Sequence, residues 1–128
     1  MSDFTPEQLA IAARGMLRHP GTLGSRAAAI LARQALEGSV DAFWVGRGVP
    51  AMTYVSWAAK FIALPSYLSE DRRELGPHAY LLWTQLSGMA HHHPYEMVHL
   101  PEEVAPLIAE TASLVGDLMP APMARNDR

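Results

Sequence analysis

Between its prolines and glycines, this sequence places apolar residues three and four positions apart and nowhere alternates them convincingly at a spacing of two. That period belongs to helices whose single apolar stripe must be buried, so the chain is restricted to helix-on-helix packing. The first helix is announced at Thr5-Pro6-Glu7-Gln8. Thr5 is placed to cap, Pro6 to occupy the first turn and Gln8 to complete a capping box, with Phe4 and Leu9 as a hydrophobic staple. Leu9, Ala12, Ala13 and Met16 share one face, and His19-Pro20-Gly21 ends the segment.

The same reading predicts four further helices. The second runs from about Ser25 to Val45, with Ala28, Leu31, Ala35, Ala42 and Phe43 facing inward, and Gly46-Arg47-Gly48 closes it. The third starts at Pro50, repeats through Met52, Val55, Ala59 and Ile62, and stops at Pro65. A polar stretch over Ser66–Pro77 follows, with one short helical turn around Glu70–Leu75. The fourth begins after Gly76-Pro77, carries Leu82, Leu86, Met89 and His93 on one stripe, and ends at Pro94. The last follows Pro101 and buries Val104, Leu107, Ile108, Thr111, Leu114, Val115 and Leu118, with its first turn set apart by Pro106. Short loops between amphipathic helices imply an all-α, up-and-down bundle of about five helices. Residues 1–119 are expected to form one domain and residues 120–128 a disordered tail.

Composition narrows the function. With 128 residues, 49% of them hydrophobic, the chain is large enough for a core without staples. It contains no cysteine, which excludes disulfides, thiolate metal sites and cysteine catalysis. The N-terminus lacks the charge and apolar run of a secretory signal, and no apolar run approaches a membrane span, so a cytoplasmic protein with no membrane contact is expected. The net charge of −3, without a lysine or arginine run, limits RNA contact to something local and weak. No cofactor is expected. Gly46-Arg47-Gly48 is too short for a phosphate loop, and no serine sits in a nucleophile elbow.

The segment that carries chemistry is Gly88-Met89-Ala90-His91-His92-His93-Pro94-Tyr95-Glu96. Adjacent residues on a helix point about 100° apart, so three consecutive histidines do not converge on one ion. Only His92 and Glu96 have the four-residue spacing of a helical metal pair, and Pro94 interrupts it. No metal is expected: added zinc or nickel should leave the melting temperature unchanged, and a rise of several degrees would show a site here. The plainest reading makes His93 a half-buried bundle residue and leaves His91 and His92 at a helix end, where the dipole favours them.

His93-Pro94-Tyr95 also resembles the His-x-Tyr element of HEPN domains, helical bundles of toxin–antitoxin and phage-defence systems. One branch of that superfamily carries Arg-x4-His-x-Tyr, followed by a short linker and a final amphipathic helix. Glu96–Glu103 resembles the linker, and the helix from Val104 resembles the last helix. The resemblance covers about a quarter of the chain by motif and the remainder by helix order.

It implies a homodimer with the motif at its interface and metal-independent cleavage of RNA. His93 would be the catalytic proton carrier, with Tyr95, His92 and Glu96 as further candidates. A partner nucleotidyltransferase or antitoxin is implied too, with Tyr95 a target for modification. The chain departs from the pattern at Gly88, which stands where the phosphate-holding arginine belongs. A cation from another helix would have to replace it, and Arg33 and Arg47 are the candidates.

A literal Arg-x4-His-x-Tyr also occurs at Arg73…His78-Ala79-Tyr80, but Gly76 and Pro77 break it and too much chain follows it, so it reads as coincidence. Trp44, Trp57 and Trp83 fall on three helices and read as core or dimer anchors rather than a base-stacking platform. Glu102 and Glu103 favour a helix start, without paired-carboxylate chemistry. Two functions remain open: a HEPN-like domain with weak or lost ribonuclease activity, or a non-catalytic helical protein-interaction module unrelated to RNA.

Overall fold

A computed structural model of the chain describes residues 4–19, 22–91 and 99–119. Every regular element among them is helical, and five α-helices form the bundle: α1 (Pro6–Met16), α2 (Thr22–Gly46), α3 (Trp57–Ile62), α4 (Leu75–Ala90) and α5 (Pro101–Leu118). Three of the packed pairs run in opposite directions, and α2 and α5 consequently run parallel. Gly38 of α2 lies against Pro6 and Gly24 against Met16, which fixes α1 antiparallel to α2. Arg26 meets Ala90 and Glu37 meets Trp83, so α4 also opposes α2. His78 meets Glu110 and Arg72 meets Asp117 O, so α5 opposes α4.

The long helix α2 is the hub. Ala28, Ala29, Ala32, Ala35, Leu36, Val40, Phe43 and Trp44 are all buried, because they face α1 on one side and α4 and α5 on the other. At the start of α1 the capping box is complete: Thr5 Oγ1 accepts from the Gln8 N–H, and Gln8 Oε1 accepts from the Thr5 N–H. The staple is not a buried contact, since Phe4 remains 69% exposed. On α1, Ala10 rather than Ala12 joins Ala13 in the interior.

Proline and serine chemistry accounts for three other departures. The third helix is split. A 3-10 turn at Pro50–Tyr54 ends with Val55 extended, and Ser56 then caps α3 by accepting from the Ala59 N–H at 3.2 Å. Helix α4 starts at Leu75, before Gly76 and Pro77, because a first-turn proline needs no N–H. Pro65 sits in a second 3-10 turn, Leu64–Tyr67, with its ring against Gly76. Helix α5 continues through Pro106, whose exposed position leaves the unpaired carbonyl one turn back open to water. The expected short turn is present at Glu70–Arg72, and Gly48 takes the positive φ of 79° that closes α2.

Trp44 belongs to the core, and Trp57 and Trp83 pack half-buried against it. Trp44 is fully buried and donates to Lys60 O at 3.3 Å. Trp83 stacks on Phe61 at 5.2 Å and donates to Glu37, and Trp57 lies 3.6 Å beneath the Lys60 ammonium. Lys60, the only lysine, is buried and bonds Asp41 Oδ1 at 2.9 Å. Removing one partner of a buried pair leaves an uncompensated charge. Asp41 is 35% accessible at its side chain, so water offsets part of that cost. Asp41→Ala should therefore lower stability by roughly 2 kcal/mol in urea titrations, more than Lys60→Met, which leaves only a hydratable carboxylate. The reverse order would show that packing, not charge, governs the pair.

Candidate functional site at the end of helix 4

Helix α4 stops at Ala90, and His91 caps it with extended backbone (φ −74°, ψ 140°). The sequence pattern carried this helix to Pro94 with His93 on its stripe, and it ends sooner for a reason the sequence contains. In a longer helix the Ala90 carbonyl would accept from residue 94, and proline has no N–H to give. Arg26 fills that vacancy: its Nε donates to Ala90 O at 2.9 Å from the first turns of α2. A cation at a helix C-terminus is also favoured by the backbone dipole. The contact fixes one edge of the guanidinium and leaves its terminal fork with no partner among the described residues.

His92, His93, Tyr95 and Glu96 lie outside the described residues, as do Pro120–Arg128. What is described is the platform from which the histidine run departs: the end of α4, His91 and Arg26. Neither arginine nominated from the sequence occupies it. Arg33 Nε is 3.7 Å from Glu37 Oε2, in the seam where Glu37 also accepts from Trp83. Arg47 stacks over Phe43 at 5.1 Å, at the far end of α2 and roughly 30 Å from Arg26 by helix rise. Arg26 was missed because its role depends on an orphan carbonyl from a helix 64 residues away in sequence.

Gly88 is exposed, and a Cβ built there meets nothing within 4 Å. In the literal motif copy, His78 bonds Glu110 Oε1 at 3.1 Å, Tyr80 packs with Phe61 and Trp83, and Arg73 is exposed in the preceding turn. Beside Arg26, a groove of about 450 Å³ opens between the end of α1 and the start of α2. It is lined by Met16, His19, Leu23, Gly24, Ala27 and Ile30. Among the described residues no group of three or more His, Asp or Glu side chains is placed to hold a metal ion, and no helix is long and apolar enough to cross a membrane. The chain matches no protein-family model, no curated protein and no solved structure.

Proposed function

We propose that the chain is a HEPN-like helical domain of a toxin–antitoxin or phage-defence type system, cytoplasmic and homodimeric, with weak or lost metal-independent ribonuclease activity. The observation that carries the reading is the Arg26–Ala90 contact, which holds a guanidinium one residue before the histidine run. Cleavage by this route joins the ribose 2′-oxygen to the adjacent phosphorus and expels the 5′-oxygen of the next nucleotide. A base takes the 2′ proton, an acid supplies one to the leaving oxygen, and a cation steadies the phosphorane. In this assignment His93 moves the proton, with His92 and Glu96 as its counterpart candidates, and Tyr95 positions it. Imidazole titrates near neutral pH and suits either role. Arg26 supplies the cation that Gly88 lacks, but from a second helix and with one edge already committed to Ala90, which is why activity is weak.

The test is a fluorogenic RNA assay on purified protein. Residual cleavage should fall about 100-fold or more in His93→Ala and by a comparable factor in Arg26→Gln, with melting temperatures within a few degrees of wild type. Efficient cleavage that neither variant alters would remove the assignment.

The interaction-module reading is favoured by one observation, the outer face of α4. There Leu81 is exposed and Gly88 leaves open space where the family's arginine would stand. It gains if no cleavage is detectable and a partner protein protects Leu81 from solvent.

A further inference from the structure

The groove between α1 and α2 sets an exposed apolar stripe beside a cation. Leu23, Ala27 and Ile30 follow each other at intervals of four and three on α2, the stripe by which one helix ordinarily packs on another. Leu23 at the end of that stripe is 78% exposed, although α2 is the helix every other helix packs against. Met16 closes the floor from α1. Among the described residues the lining includes one guanidinium, Arg26, one imidazole, His19, and no carboxylate. The bias extends into the sequence: residues 8–36 contain Arg14, Arg18, Arg26 and Arg33 and not one aspartate or glutamate, in a chain whose net charge is −3. A surface that only tracked phosphates would have no use for an apolar floor.

We propose that this groove receives an amphipathic helix of a partner protein. Its apolar residues, spaced by three and four, would seat on Leu23, Ala27 and Ile30, and its acidic flank would pair with Arg26. Helix-in-groove recognition combines these two elements, apolar anchors for affinity and charge for orientation. The inference stands without the ribonuclease reading. One consequence rests on that reading: the docked helix engages Arg26 and so withdraws the cation from the RNA phosphate.

The probe is a stapled 14-residue helical peptide with leucines at four-and-three spacing flanked by glutamates, followed by fluorescence anisotropy against the full chain. Two controls replace its leucines by serine or its glutamates by lysine. The acidic peptide should bind saturably, and each control should bind at least tenfold more weakly. Leu23→Asp and Arg26→Glu should each weaken the acidic peptide about tenfold or more, and Arg26→Glu should improve the lysine version. Leu23 is exposed, so Leu23→Asp should fold, which circular dichroism checks. No saturable binding, or binding indifferent to Leu23→Asp, overturns the proposal. So does displacement of the peptide by a ten-nucleotide RNA at lower concentration than by unlabelled peptide, which would make the groove a polyanion site. Conversion of a dimer to a monomer by Leu23→Asp would assign the groove to a second copy of this chain and also overturn it. Peptide binding in the absence of any RNA cleavage leaves this inference intact and ends the ribonuclease reading alone.

Discussion

Gly88→Arg should raise RNA cleavage by about 100- to 1000-fold, the range typical of adding or removing one electrostatic group at a developing oxyanion. The expectation rests on permissive geometry. Gly88 is exposed two residues before the end of α4, and among the described residues nothing beyond its own stretch of helix backbone lies within 4 Å of a Cβ built there. Arginine is also a far better helix former than glycine, by roughly 0.5–1 kcal/mol in a helix interior. Its charge near the helix C-terminus adds a smaller favourable contribution. Stability should hold or rise slightly, so any gain in cleavage cannot be an effect of folding. The gain should disappear when His93→Ala is combined with it, because a cation without a proton carrier completes only half of the chemistry. An unchanged cleavage rate in a variant with intact stability would sink the ribonuclease reading and leave the interaction module in its place.

Gly24→Ala should behave oppositely and cost about 1–3 kcal/mol, the usual range for overpacking. Here an added Cβ would lie 2.6 Å from Met16 O and 3.0 Å from His19 O. Both are main-chain atoms at the end of α1, so no side chain can swing away, and the terminal turn of α1 would have to lift off α2. Two internal controls isolate the cause. Gly15 and Gly116 are also helical and have nothing within 4 Å, so Gly15→Ala and Gly116→Ala should stabilise by roughly 0.5–1 kcal/mol through backbone entropy. Urea midpoints for the three variants decide the matter. If all three shift alike, the close approach of α1 to Gly24 does not limit this position.

The two glycines show how differently a residue type reads in sequence and in space. Gly88 stands out in the sequence because it replaces an arginine in a recognisable pattern, yet its surroundings place no demand on it. Gly24 looks unremarkable in a run of small residues, yet it is where two helices meet backbone to backbone. The same contrast holds for the arginines. Arg33 and Arg47 were plausible substitutes for the missing cation by position alone. Arg33 is drawn into the α2–α4 seam by Glu37, and Arg47 points to the far end of the bundle.

The fold class was legible in the sequence because each helix carries its own boundary signals and its own stripe. The capping box at Thr5, the turn at Gly46-Arg47-Gly48 and the start at Pro101 depend on residues no more than a few positions apart. Where the reading strayed, the deciding contact was still local but subtle, as with Ser56 restarting the chain as α3. The site is a different matter. The run His91-His92-His93-Pro94-Tyr95 marks the candidate in the sequence, and even the early end of α4 follows from the absence of an N–H at Pro94. Which cation answers the freed carbonyl does not follow. Helical periodicity says which face of α2 is buried, but not which residue of α4 lies opposite Arg26, because antiparallel register is set by packing across the whole core. Local hydrogen bonding therefore determined the helices and the histidine-bearing end of α4, while tertiary register alone brought Arg26 to Ala90 and left the groove beside it uncovered among the described residues.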